Sequence, residues 1–257
     1  MKPFYRYLGG KTREIKYFAK YFPEKYDLYV EPFFGGGAVF WNLEPKKAII
    51  NDIDSTLMEF LSYVKSNPEV FEVVEKFWPV NKEFFEAIRD NWVYSGAVVE
   101  VQRYFYFLRT SFNGLLRYND KKQKYNMSFG NKKFIAPIPE ENIKLLQNAV
   151  ITSTDFMDIL KTYDAEDTFV FLDPPYDGLF NYLHDSSDKS SIRAILEALK
   201  NFLSTCKSKC LMTTGATPFT EELFKDLIKD SYIKHNSFGA HCKGKDNNLK
   251  TLIITNY

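Results

Sequence analysis

Apolar runs of strand length alternate with helical patterns along this chain, and the alternation breaks once, between about residues 55 and 148. Such alternation demands a mostly parallel sheet, because each parallel connection must cross back over the sheet, usually through a helix. Strand candidates lie near 28–31, 47–52, 149–152, 168–172, 208–214, 231–236 and 249–255. Helical spacing covers 11–22, 36–43, 156–163, 188–204 and 218–229. The interrupting stretch reads as largely helical, over 57–64, 68–77, 82–92 and 98–112, and then turns polar. A two-stranded ribbon turning near 119–123 is expected there, since polar turn formers separate two short arms. The reading is α/β: a doubly wound, mostly parallel core from 1–54 and 149–257, with a mainly helical lobe inserted at 55–148.

Composition excludes several classes. With 257 residues and 45% hydrophobic content the chain can bury a sizeable core. A formal net charge of +1 makes the whole molecule no polyanion magnet, so affinity for nucleic acid must come from a local patch. No apolar run reaches the length of a membrane span, and the first six residues do not read as a secretion signal. Three cysteines, Cys206, Cys210 and Cys242, make a disulfide framework unexpected and a reducing, cytoplasmic setting expected. Together with His241 they fit no standard zinc spacing, so no metal is expected.

Chemistry gathers at two strand ends. The apolar run Thr168-Phe169-Val170-Phe171-Leu172 stops at Asp173-Pro174-Pro175-Tyr176. The Asp173 carboxylate and the Pro174 carbonyl can accept hydrogen bonds from a planar amine, and Tyr176 can stack on the ring that carries it. The prolines fix φ and lack N–H groups, which frees nearby carbonyls for a ligand. A structural Asp-Pro-Pro turn is the ordinary alternative. Upstream, Glu31-Pro32-Phe33-Phe34-Gly35-Gly36-Gly37 leaves the first strand candidate as a glycine loop that admits a ligand closely. Phe40 stands where a dinucleotide fingerprint needs its third glycine, so a nicotinamide cofactor is disfavoured. Asp52 ends the second strand candidate, where a doubly wound sheet binds ribose hydroxyls. Gly9-Gly10-Lys11-Thr12 ends like a phosphate-binding loop, but Tyr5 replaces the first required glycine, which argues against an NTPase.

The chain resembles the Dam-type (D12 class) DNA adenine-N6 methyltransferases, of the alpha group in which the cofactor motif precedes the recognition region and the catalytic motif follows it. Besides the two strand-end motifs, Tyr7-Leu8-Gly9-Gly10-Lys11 is similar to the family's N-terminal element. The stretch Arg109 to Arg117, containing Phe112-Asn113-Gly114-Leu115, resembles its Phe-Asn-Gly-Leu-x-Arg segment. Thr154-Asp155-Phe156 resembles the element that holds the cofactor adenine, and Leu252 to Tyr257 the closing strand. The matches run from residue 7 to the C-terminus in the family's order.

The resemblance implies S-adenosylmethionine as cofactor and double-stranded DNA as partner. Tyr7, Lys11, Glu31, Pro32, Phe33, Gly35, Gly36, Gly37, Asp52, Asp155, Phe156, Asp173 and Tyr182 are the expected cofactor contacts, with Lys11 near the cofactor carboxylate. Asp173, Pro174, Pro175 and Tyr176 are expected to act on a flipped adenine. The inserted lobe becomes a recognition lobe: residues 117–133 carry Arg117, Lys121, Lys122, Lys124, Lys132 and Lys133 against Asp120, interleaved with aromatics. Lysines attract phosphates whatever the sequence, and a ribbon fits the major groove, although a merely solvated turn is the usual fate of such a run. Asn113, Arg117, Tyr118, Asn119, Lys121, Lys122, Lys124 and Asn131 are the expected DNA contacts. The family ribbon closes with Phe-Gly-Arg, whereas Phe129-Gly130 is followed here by Asn131, so GATC is only a first guess for the site. A monomer or weak dimer on DNA is expected, in bacterial cytoplasm or a virus-infected host cell. An RNA or protein-glutamine methyltransferase, and an inactive DNA-binding module, are the alternatives.

Overall fold

The computed structural model describes residues 1–91, 93–116, 118–119, 124–177, 189–235 and 248–257. Its strands are β1 (Leu28–Glu31), β2 (Ala48–Asn51), β3 (Tyr118–Asn119), β4 (Lys124–Tyr125), β5 (Ala149–Thr152), β6 (Thr168–Leu172), β7 (Lys209–Gly215), β8 (Ile228–His235) and β9 (Asn248–Thr255). The helices are α1 (Ile15–Phe18), α2 (Ala38–Leu43), α3 (Ser55–Ser66), α4 (Glu72–Phe77), α5 (Lys82–Asp90), α6 (Ala97–Thr110), α7 (Glu140–Leu146), α8 (Phe156–Thr162), α9 (Lys189–Leu203) and α10 (Pro218–Leu223). Seven strands form one sheet in the order β5-β2-β1-β6-β7-β9-β8, and β3 pairs with β4 as a separate antiparallel ribbon. Every pairing from β5 through β7 is parallel, and β9 lies antiparallel between β7 and β8.

Alternation along the central strands feeds two cores. Tyr29, Phe169 and Phe171 enter one apolar cluster, whereas their neighbours Val30, Val170 and Leu172 enter the other. Successive side chains on a strand point to opposite faces, so a sheet covered on both sides needs apolar residues throughout. That accounts for β6 being buried along its whole length. The second cluster holds Ile159 and Leu160 of α8 and Leu196 and Leu199 of α9. The first runs from the sheet through Phe60 of α3 to Phe85 of α5 and Phe105 and Phe107 of α6. The helical lobe therefore shares a continuous core with one face of the sheet.

Local signals explain most element ends. Asp54 caps α3 by accepting from the Leu57 amide at 3.1 Å, and Leu57, Met58, Leu61 and Val64 line its buried face. Three expectations need correction. The helix expected over 11–22 shrinks to α1 and one 3₁₀ turn, because residues 11–14 form a tight turn that carries Lys11 and Glu14 into the interior. The pattern at 218–229 continues through Leu227 and Ile228, yet α10 stops at Leu223 and Ile228 pairs with Ile254. Pairing with the long strand β9 overrides helical spacing there. Helix α7 was not anticipated, since one short apolar turn, Leu145 and Leu146, is all that marks it.

Candidate active site

The sheet changes direction at β1: the chain winds outward through β2 and β5, then returns to the other side of β1 as β6. Ligands of open α/β sheets bind beyond the carboxyl ends of strands at such a switch point. Five parallel strands end at this edge, and four of them each lead into one of the motifs. β1 leads into Glu31 to Gly37, β2 into Asp52, β5 into Thr154-Asp155, and β6 into Asp173 to Tyr176.

Hydrogen bonds tie these loops together. Asp52 accepts from the Gly35 amide at 2.7 Å through one oxygen and from the Asp54 amide at 3.0 Å through the other. The Tyr5 hydroxyl donates to the Gly35 carbonyl at 2.9 Å. Gly37 has φ +59°, and a Cβ there would lie 2.2 Å from the Phe34 ring, so only glycine fits. Asn51 is a residue that sequence reasoning missed. Its side-chain amide donates to the Pro32 and Thr154 carbonyls at 3.1 Å each and accepts from the Thr154 amide at 2.9 Å. It thus clamps the β1, β2 and β5 loops, and its one signal was a polar residue ending a buried strand.

Burial sets the charge of the site. Glu31 is buried, accepts from the Tyr29 hydroxyl at 2.8 Å, and is pushed well above the usual carboxylate range by desolvation, with the Asp173 and Asp52 charges adding to the shift. Desolvation likewise raises Asp52 to about 6, against its backbone hydrogen bonds. Asp173 is held at both oxygens: Lys11 Nζ donates to Oδ2 at 2.6 Å, and Thr213 Oγ1 to Oδ1 at 3.1 Å. Lys11 is buried, which disfavours its charge, but the carboxylates of Asp173 and Glu14 outweigh that and raise its pKa. Thr213, fully buried on β7, also escaped the sequence reading. Tyr176 is buried beside Asp173 and Thr213, with Lys11 Nζ 4.9 Å from its ring centroid.

The remaining cofactor candidates surround this centre. The Tyr7 hydroxyl donates to Asp54 at 3.3 Å, and the Tyr7 side chain covers Gly35 with its ring and Gly36 with its Cβ. Phe33 and Phe156, both half-buried, approach with ring centroids 5.1 Å apart, and Asp155 caps α8 at an exposed position beside them. Ile53, next to Asp52, is 64% exposed although apolar. Tyr182 lies outside the described residues. The Lys11 ammonium donates to Asp173 and to the Gly9 carbonyl.

Among the DNA candidates, Asn113 is exposed at φ +55° in the turn that follows α6. The next residue, Gly114, has φ +67°, and a Cβ on it would meet the Arg6 carbonyl at 2.6 Å, so this turn packs on the segment carrying Tyr7. Exposed Asn131 follows Gly130 at φ +52°, a conformation that asparagine tolerates better than most residues. Lys124 is exposed on β4 and 3.9 Å from Asp90. Tyr118 and Asn119 pair with Tyr125 and Lys124 as the ribbon. Arg117, Lys121 and Lys122 lie outside the described residues. Among the described residues no group of three or more His, Cys, Asp and Glu side chains is placed to hold a metal ion, and no helix is long and apolar enough to cross a membrane. His241 and Cys242 lie outside the described residues.

A glycine loop and two acidic strand ends at the switch point of a mostly parallel sheet are consistent with a Rossmann-like methyltransferase fold. The family model for D12 class N6 adenine-specific DNA methyltransferase matches residues 7–238, and the chain belongs to that family. It is 33% identical to the Type II methyltransferase M.CviBI of Paramecium bursaria Chlorella virus NC1A, over the whole of both chains. It is 32% identical to the Type II methyltransferase M1.LlaDCHI of Lactococcus lactis subsp. cremoris, covering all of this chain and 96% of that one. A DNA adenine methylase of Haemophilus influenzae is 29% identical, over 87% of this chain and 82% of its own. The protein is a DNA adenine methyltransferase.

Proposed function

We propose that the methyl donor is S-adenosylmethionine and that the acceptor is the N6 amine of an adenine turned out of duplex DNA. The observation that carries this reading is the meeting of Glu31, Asp52 and Asp173 at one strand edge, where Lys11 is the cation paired with Asp173. Carboxylates in such excess suit a cationic ligand, and a sulfonium is a cation. When bound, the donor supplies an electrophilic methyl group. The loop from Glu31 to Gly37 would pass under its amino-acid and ribose portions, Asp52 would accept from ribose hydroxyls, and Phe33, Phe156 and Asp155 would hold its adenine.

Asp173 and the Pro174 carbonyl then accept the two N–H groups of the target amine. That holds the nitrogen pyramidal and aims its lone pair, which is otherwise delocalised into the ring, at the methyl group. Alignment rather than proton abstraction carries the acceleration. The nitrogen would become acidic only as its lone pair forms the new C–N bond and the methyl–sulfur bond breaks, its electrons returning to sulfur as a neutral thioether, and its proton would then be lost to water. Tyr176 packs against the purine, which must leave the duplex to be reached. Asn113, Arg117, Tyr118, Asn119, Lys121, Lys122, Lys124 and Asn131 would meet DNA, with residues 55–148 acting as the recognition lobe and no metal needed.

GATC is the first site to test. The Type II names of two relatives support a role in restriction–modification. On this reading the protein works in bacterial cytoplasm or a virus-infected cell, as a monomer or weak dimer on DNA. Incubating purified protein with S-adenosylmethionine and duplex DNA, followed by nucleoside mass spectrometry and modified-base sequencing, should give N6-methyladenine at one short site. Methylation confined to RNA, protein or cytosine would overturn the reading.

A further inference from the structure

Lys11 makes contacts that the mechanism above gives to something else. Its Nζ donates to Asp173 Oδ2 at 2.6 Å and lies 4.9 Å from the centroid of the Tyr176 ring. A purine stacked on Tyr176 with its amine on Asp173 would place a nitrogen donor in that same position, on the same acceptor. We infer that Lys11 is a stand-in for the target amine: its ammonium fills the Asp173 site in DNA-free protein and is displaced when adenine arrives.

Three features support an exchange rather than a fixed pair. Lys11 starts the tight turn 11–14 two residues after Gly9, which has φ +80° and open space where a Cβ would project. The lysine has a second carboxylate within electrostatic reach, Glu14, which is itself tied to Tyr232 and Lys234. An ammonium leaving Asp173 therefore keeps a counter-charge. Thr213 still holds the other oxygen of Asp173 at 3.1 Å, so the carboxylate stays oriented while its donor changes. The exchange conserves one charge-assisted hydrogen bond, which makes base insertion nearly neutral at this atom and spares the free protein a half-buried carboxylate without a cation.

The inference rests on the proposed role of Asp173 and is tested by removing the amine from the base rather than from the protein. Binding is measured to a duplex with the methylated site, as found by modified-base sequencing, carrying either adenine or purine at the target. Purine is adenine without its amine. In wild-type protein the two duplexes should bind within about threefold of each other, because the amine only replaces an ammonium. In Lys11→Met the amine meets an unfilled acceptor, and preference for adenine should rise by about tenfold, as expected for a hydrogen bond to a charged group. Lys11→Gln, which keeps a weaker donor, should fall between. A purely structural or orienting lysine predicts an unchanged or smaller preference, and either result overturns the inference. If both variants fail to fold, the wild-type ratio decides alone, and a preference well above tenfold rejects the exchange. Wild-type protein that methylates adenine N6 while failing these tests rejects only the role of Lys11. Wild-type protein without that activity rejects the role of Asp173 with it.

Discussion

Asp173 is expressed in the sequence as a ligand-binding acid, but the structure makes it the half-buried partner of a buried lysine, and that changes what its removal should do. Asp173→Ala leaves the buried Lys11 ammonium with only Glu14, which Lys234 already shares, as counter-charge, a loss worth at most about 3–5 kcal/mol. The variant should lose turnover and also melt early, whereas the double variant with Lys11→Met should regain much of the stability and none of the turnover. Chemical denaturation beside a methylation assay separates the two effects, and recovery of turnover in the double variant would reject the catalytic assignment. Asp52 carries a second residue-scale prediction. Its pKa is raised to about 6 in the folded protein from the ordinary value of 3.8. A raised carboxylate binds its proton more tightly when folded, so its contribution is fully present below the unfolded value and is lost as pH rises through about 6. Ligand-free wild type should therefore lose stability between pH ~4 and pH ~7, by at most about 3 kcal/mol from this group. Asp52→Asn should flatten that decline while weakening donor binding, seen by denaturation across pH and by calorimetry. An unchanged slope would remove Asp52 as the cause.

At the scale of elements, the site depends on how loops are pinned at strand ends. Gly37→Ala meets the Phe34 ring and a left-handed backbone at once, and should cost about 2–4 kcal/mol while impairing donor binding. Asn51→Ala removes the bridge between three loops and should cost about 1–3 kcal/mol, as buried partners are left unsatisfied. Thermal denaturation measures both, and a neutral Asn51→Ala would show that the loops hold without it. The glycine loop and the β6 turn were legible because each requires residue types that other environments disfavour. Asn51 and Thr213 were not, because an asparagine or threonine at a strand end has many uses. Only the neighbour across the sheet, Thr154 for one and Asp173 for the other, reveals which use applies.

For the whole molecule, a net charge of +1 leaves DNA binding to a local surface. Neutralising Lys121, Lys122 and Lys124 together should weaken binding to all sequences alike and flatten the salt dependence, by about one unit of slope per lost contact. Changing Asn131 should alter the preferred base, by about 1–3 kcal/mol for a bidentate contact. Asn131→Gly is the substitution to choose, since the backbone there is left-handed and a bulky side chain would add strain to any effect on recognition. Methylation over randomised sites, with binding at several salt concentrations, distinguishes the two roles. A lysine variant with a new preferred site and an Asn131 variant without one would refute the division.

The sequence by itself determined the class of fold, the strands of the sheet, the family and the two strand-end motifs. These are written in period, in glycines and in prolines, which act on the backbone locally. It did not determine where α10 gives way to β8, because the apolar spacing of Leu227 and Ile228 suits a helix as well as a strand, and β9 decides between them. Nor did it determine that Lys11 would face Asp173, which stands 162 residues away. A buried charge seeks whichever opposite charge the fold brings within reach, and here the return of β6 beside β1 chose the partner.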